Sequence, residues 1–310
     1  MGANALRALI VGLGSIGTRH LQVLQGLGLT VEAVSRHHRS EAPKTYATLA
    51  AALEHSFDYV VVANETETHF NTVCELANAE YDGKVLVEKP LFDAVRELPA
   101  HRFAEVYVGF NLRFHPLVRK LKGILTGEPA LSASFYTGQY LPAWRTNRSY
   151  ENAYSARSVT GGGVLKDLSH EIDMMCHWFG EVSALAAVGG KYSSLNIATP
   201  DVYSLVAACE RCPSLAWQVN YLDRLGRRQY IVNTDRHTYG LDLVRGTLQV
   251  DGDCEQVSCE RDTTYSLMHQ QALAGNPENI LCDLAGGLYV MKVIEATESA
   301  NRSSRVVSPI

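Results

Sequence analysis

The chain lacks a paired set of cysteines, a basic surplus and any long apolar run, and each absence removes a class of protein. Seven cysteines, an odd number spread from Cys74 to Cys282 in 310 residues, do not make a disulfide framework. With 28 Lys and Arg against 33 Asp and Glu, the net charge is −5, the wrong sign for a surface that grips nucleic acid or anionic lipid. No apolar stretch approaches the ~20 residues of a membrane span. The longest candidate, from Ala8 to Ile16, is interrupted by Gly12 and Gly14. The first residues lack the charged region, apolar core and cleavage site of a secretory signal. Leu6 stands where a myristoylation signal places Ser or Thr. These shortages lead us to expect a soluble cytoplasmic protein with neither nucleic acid nor membrane as partner.

What is present is the composition of a packed protein: 46% hydrophobic residues, too many for a disordered chain. The length is twice the ~150 residues of a typical domain, so two domains are expected. Leu6–Val11, Thr30–Val34, Tyr59–Ala63, Lys84–Val87 and Val106–Phe110 are short β-branched or apolar runs. Between the earlier runs lie stretches of helical period, such as Ser15–Leu27 and Thr68–Ala79, and this alternation predicts a parallel sheet. After Arg113 the pattern changes. Helices are expected over His115–Leu125 and within Gly161–Phe179, and Val182–Cys259 is a series of strand-like runs without room for crossover helices. A large, mainly antiparallel open sheet with a closing helix over Glu278–Ala300 is expected there.

Gly12-Leu13-Gly14-Ser15-Ile16-Gly17 is a G-x-G-x-x-G turn between an expected strand and an expected helix, the context in which it binds a dinucleotide. Gly12 permits the tight turn, Gly14 lets a pyrophosphate approach the backbone, and Gly17 lets helix and strand pack closely. The helix start, with Ser15 and Ile16, offers N–H groups to phosphate. At the end of the second strand Ser35 and Arg36 replace the acid that bonds an NAD ribose, and a guanidinium suits the 2′-phosphate of NADP. NADP is therefore the expected cofactor, with NAD the alternative. Glu32 lies too early in its strand for the ribose.

Three motifs in order then carry a resemblance: Gly17-Thr18-Arg19-His20, Glu88-Lys89-Pro90, and Gly161-Gly162-Gly163 running through Asp167, His170 and Asp173. Together they resemble the Gfo/Idh/MocA family of sugar and cyclitol oxidoreductases. The resemblance implies a Rossmann domain over 1–114 and a substrate-binding and oligomerisation domain over 115–310. It also implies a homo-oligomer, dimer or tetramer, in the α/β class. Lys89 would then meet the reacting hydroxyl beside the nicotinamide, with Glu88 near the cofactor ribose or nicotinamide and Pro90 shaping the turn on the cofactor side. His170 matches the family histidine and Asp167 the acid before it, three residues away where four is commoner. The usual Thr-Pro after the third strand is absent, but Asn64 and Thr66 would still bond the cofactor and His69 occupies the place of the family's histidine; Leu91–Ala104 is short for a crossover helix.

Asn111 and Arg113 follow the last strand of the first region, at the sheet edge where ligands bind. Tyr140, Trp144, Arg145, Arg148 and Tyr154 combine rings that stack on sugars with forks that match phosphates. With Asp173 they make the expected substrate set. They resemble a subgroup of the family linked to surface-polysaccharide and nonulosonate sugar biosynthesis, which implies a nucleotide-sugar or sugar phosphate. Cys209-Glu210-Arg211-Cys212 has no second close pair, so a hairpin is expected in place of a metal site. The leading reading is an NAD(P)-dependent sugar dehydrogenase or reductase. A regulatory dinucleotide sensor and a transient-oxidation elimination or glycoside hydrolysis stand as alternatives.

Overall fold

The computed structural model describes residues 5–36, 44–144, 149–157, 162–274 and 280–309. The chain forms two compact units, Met1–Phe114 with Glu260–Leu288 and His115–Cys259 with Tyr289–Ile310.

The first unit opens with β1 (Arg7–Val11), α1 (Ser15–Gly26), β2 (Thr30–Val34), β3 (Thr45–Tyr46) and α2 (Leu49–Leu53). It continues with β4 (Tyr59–Val62), α3 (Thr66–Asn78), β5 (Lys84–Val87) and β6 (Glu105–Val108). These strands form one parallel sheet in the order β6-β5-β4-β1-β2-β3. The Tyr-Val-Val-Val of β4 is buried at every position, as a central parallel strand covered on both faces must be. Strand order reverses between β4 and β1, and the loops above that point are where such sheets hold ligands. No helix joins β5 to β6, consistent with the shortness of Leu91–Ala104.

The second unit begins with α4 (Pro116–Gly127) and β7 (Ser132–Gly138), then α5 (Val164–Asp167), α6 (His170–Phe179) and β8 (Val182–Gly190). Six further strands follow: β9 (Val202–Cys209), β10 (Cys212–Asn220), β11 (Arg227–Asn233), β12 (Thr238–Asp242), β13 (Thr247–Val250) and β14 (Asp253–Gln256). They form an eight-stranded sheet, β14-β13-β12-β11-β7-β10-β9-β8, antiparallel except where β7 runs parallel to β10. Its inner face carries the cross-strand row Leu205, Trp217, Phe135, Tyr230 and Leu241, all buried. Trp178 of α6 sets its ring edge-on to Phe135 and Tyr230. Side chains alternate along strands, so the neighbouring row faces outward. Cys209 and Cys212 face each other across the two-residue turn of the β9–β10 hairpin, the turn expected from their spacing.

Two sequence expectations change. The helix expected within Gly161–Phe179 is two helices, α5 and α6, separated at Leu168 and Ser169, so Asp167 and His170 do not share a face of one helix. The segment 260–288, which the sequence grouped with the second region, packs in the first unit. It supplies a helix that periodicity did not predict, α7 (Thr263–Ala274), and β15 (Cys282–Asp283), which pairs antiparallel with β6. Met268, Ala272 and Leu281 join Ala8, Ile10, Leu21 and Tyr59 in one apolar core, and that burial draws the segment in. α8 (Leu284–Ser303) closes the chain. Among the described residues no helix is long and apolar enough to cross a membrane.

Candidate functional site

The loops that follow β1, β2, β4 and β5 all leave the carboxyl edge of the parallel sheet, and every cofactor residue expected from the sequence lies on them or on the first turns of α1 and α3. Gly12 adopts φ +98°, and a Cβ there would stand 2.6 Å from the Asn64 backbone, so the turns after β1 and β4 touch. A Cβ on Gly17 would lie 1.8 Å from the Gly12 carbonyl oxygen, so helix and turn pack closely only with glycine. Gly14 is different: it is exposed, and a Cβ there would meet nothing within 4 Å among the described residues. It caps α1, whose first turn has no acidic residue and no side-chain cap. Open space above uncapped N–H groups at a helix start is a cradle for phosphate, and these residues fit a dinucleotide.

Asn64 and His69 build the neighbouring wall. Asn64 donates to Thr72 Oγ1 at 2.8 Å, while its buried Oδ1 has no hydrogen-bond partner among the described residues. His69 is buried, with Nδ1 at 3.1 Å from the Pro90 carbonyl and 3.2 Å from that of Leu91. Its Nε2 lies 3.2 Å from the Asn64 carbonyl, so one ring ties the turn after β4 to the loop after β5. Burial holds its pKa below the ordinary histidine value, although these carbonyls pull the other way. Thr66, also buried, starts α3. Ser35 donates its backbone N–H to the Tyr46 carbonyl at 3.0 Å, which pins it beside β3, and Arg36 is exposed beyond it. Glu32 is enclosed by Tyr46 and Arg7, each at 2.6 Å. Burial alone would raise its pKa, but the Tyr46 hydroxyl and the Arg7 and Lys44 cations hold it below the ordinary value.

Lys89 is half-buried and Pro90 buried after a cis peptide bond. Glu88, expected near the cofactor ribose or nicotinamide, is 6% exposed and turned inward. Its Oε1 lies 2.9 Å from His20 Nε2, and its Oε2 accepts the Lys89 backbone N–H at 3.1 Å. Asn111 and Arg113 are likewise buried and used within the unit. Asn111 donates to Thr264 Oγ1 at 2.7 Å and Arg113 to the Ile280 carbonyl at 3.2 Å, so both anchor the returning segment.

In the second unit Asp167 accepts the Tyr221 hydroxyl at 2.5 Å. Burial, and then the neighbouring Asp167, push the Tyr221 pKa well above its ordinary value. Trp144 meets Tyr221 edge-on at 5.3 Å, and Tyr154 lies in the same electrostatic neighbourhood. Tyr140 carries the Arg224 guanidinium 4.4 Å over its ring. Three expected substrate residues, Tyr140, Trp144 and Tyr154, thus lie close to Tyr221 or Arg224, neither of which the sequence singled out. His170 is half-buried at the start of α6, and Asp173 is fully buried one turn on. Glu171 is also fully buried, 2.7 Å from Arg228 Nε. Arg145, Arg148 and Gly161 lie outside the described residues. Among the described residues there is no group of three or more metal-ligating side chains.

Comparison with known proteins agrees with the fold. A model of the oxidoreductase family with an NAD-binding Rossmann fold, GFO_IDH_MocA, matches residues 6–104. YceM of Salmonella typhimurium is 36% identical over 134 residues, which is 38% of this chain and 43% of that protein. The match thus spans less than half the length of that relative. Levoglucosan dehydrogenase in complex with NADH superposes with TM-score 0.83 at 14% identity, covering 99% of this chain and 100% of that one. GenD2 from gentamicin A biosynthesis, in complex with NAD, gives TM-score 0.80 at 20% identity over 99% and 97% of the two chains. These structures show that the fold is shared along almost the whole length. Residues 6–104 are thus similar to the NAD-binding Rossmann fold of the Gfo/Idh/MocA oxidoreductases.

Proposed function

We propose that this protein is an NAD(P)-dependent oxidoreductase acting on a sugar alcohol or its keto form, carried as a nucleotide-sugar or sugar phosphate. The observation that carries the reading is the open glycine cradle at the start of α1, beside the Glu88-Lys89-Pro90 loop. Bound there, the nicotinamide would supply the hydride acceptor or donor. Lys89 and His170 are each assigned to the hydroxyl proton on their motifs alone, a general acid–base task. Tyr140, Trp144 and Tyr154 are assigned to the sugar ring, with the aromatic and basic composition of their segment pointing to the surface-polysaccharide subgroup. That levoglucosan dehydrogenase and GenD2 share the fold is consistent with a sugar substrate.

Fluorescence titration with NADH and NADPH tests the cofactor assignment. Both should bind, NADPH more tightly, and Arg36→Ala should weaken NADPH alone by about tenfold, the scale of a charge-assisted phosphate bond. Gly14→Ala should fold normally yet weaken both, because its methyl enters the space above the helix start. Equal or tighter binding of NADH would remove the NADP assignment, and no binding of either would remove the oxidoreductase. Net oxidation of the cofactor during turnover separates a dehydrogenase from an eliminating or hydrolysing relative, which returns it unchanged.

The outer face of the large sheet gives a reason to expect a homo-oligomer. Ala186, Val206, Ala216, Ser134 and Ile231 form a cross-strand row pointing away from the core. Val206 is 59% exposed and Val188 nearby is 68% exposed. An apolar face of small residues suits a second copy of the same face. Sedimentation equilibrium should find a dimer or tetramer that Val206→Lys converts to monomer; a monomeric wild type would count against it.

A further inference from the structure

Behind the Glu88-Lys89 turn lies an unbroken line of buried polar groups. Glu88 Oε1 is 2.9 Å from His20 Nε2, His20 Nδ1 is 2.7 Å from His269 Nε2, and His269 Nδ1 is 3.0 Å from the Tyr59 hydroxyl. His20, His269 and Tyr59 are all 0% exposed. They come from α1, α7 and β4, so the line stitches three elements of the first unit together. An unsatisfied polar group at such depth costs about 1–3 kcal/mol, so the protons must be arranged to leave none.

One arrangement does this with neutral rings. A carboxylate only accepts, so His20 donates from Nε2 and accepts at Nδ1. His269 must then donate from Nε2, which leaves its Nδ1 to accept the Tyr59 hydroxyl proton. The reverse direction would leave that hydroxyl proton without the one acceptor it has in the line. Burial and the adjacent His20 both hold the His269 pKa well below its ordinary value, in keeping with a neutral ring.

We propose that the Tyr59–His269–His20 line is a positioning device for Lys89: it fixes the Glu88 carboxylate from behind, so that the second carboxylate oxygen holds the Lys89 backbone N–H and sets where the lysine leaves the turn. The role given to Lys89 rests on the oxidoreductase reading; the hydrogen-bond line does not. His20, His269 and Tyr59 act through Glu88 and touch no substrate in this scheme.

Nuclear magnetic resonance of protein with 15N-labelled histidine and backbone tests it at neutral pH. His20 and His269 should both appear as neutral Nε2–H tautomers. Hydrogen exchange at the Lys89 amide should be about tenfold faster in His20→Leu and in the isosteric Glu88→Gln, the loss expected of a bond to a charged acceptor. In His20→Gln, whose amide nitrogen can replace Nε2, exchange should stay near the wild-type rate. A general loosening of the fold would accelerate amides across β5 as well, so those serve as the internal reference. If His20→Leu does not fold, Glu88→Gln carries the comparison. An Nδ1–H or doubly protonated His269, or unchanged Lys89 exchange in Glu88→Gln, overturns the proposal. Titration with NADH is read separately: failure to bind defeats the oxidoreductase reading, whereas the tautomers and Lys89 exchange judge the line itself.

Discussion

Lys89→Ala is expected to lose turnover by about 10²-fold or more while binding NAD(P)H within a few-fold of wild type. The factor is the usual contribution of a positioned general acid or base. The binding term follows from the proposed phosphate cradle, which is made by the backbone of Gly12, Gly14 and the start of α1. His170→Ala should behave in the same way. Asp167→Asn should lose less, since Asp167 is held by Tyr221 and lies on a separate short helix from His170. Steady-state rates with a sugar substrate, paired with fluorescence titration of the cofactor, check all three. Wild-type turnover in Lys89→Ala would end its assignment as a proton carrier, and wild-type turnover in His170→Ala would make that histidine structural. If Lys89→Ala also abolished cofactor binding, the separation of binding from chemistry would be wrong.

The glycine turn and the central strands were legible because they obey local rules. A buried parallel strand must be apolar throughout, and a turn that closes on Asn64 at Gly12 must lack a side chain. α7 was not legible for a related reason. Its buried positions are Thr264, Met268, His269 and Ala272, so its inward stripe is half polar and hides the apolar period. Those polar positions are the ones that matter: Thr264 receives Asn111 and His269 continues the line to Glu88. Asn111, Arg113 and Glu88 carry substrate- or cofactor-binding residue types, yet their side chains are spent inside the first unit, a partnership that sequence order conceals. His20 sat in plain view three residues after Gly17. Only its partner, 249 positions away, shows what it does.

The same reasoning assigns the Glu171 of the His170-Glu171-Ile172-Asp173 run to stability. Its carboxylate is fully buried, with Arg228 Nε at 2.7 Å, and it accepts from Thr137 Oγ1 at 3.1 Å and the Tyr230 hydroxyl at 3.2 Å. These groups tie the start of α6 to β7 and β11. Arg228→Met removes the cation paired with Glu171 and leaves a buried carboxylate with the neutral donors Thr137 and Tyr230. Breaking a buried pair from one side costs about 3–5 kcal/mol. For a unit of this size that corresponds to a fall in Tm of roughly 10 °C. Glu171→Gln combined with Arg228→Met removes both charges and should recover most of the loss, because the glutamine carbonyl can still accept from Thr137 and Tyr230. Thermal unfolding of the single and double variants gives the coupling directly. A cost below about 1 kcal/mol for Arg228→Met would mean that the neutral donors alone support the carboxylate. A double variant less stable than either single would mean that Arg228 acts through packing of its stem and not through its charge.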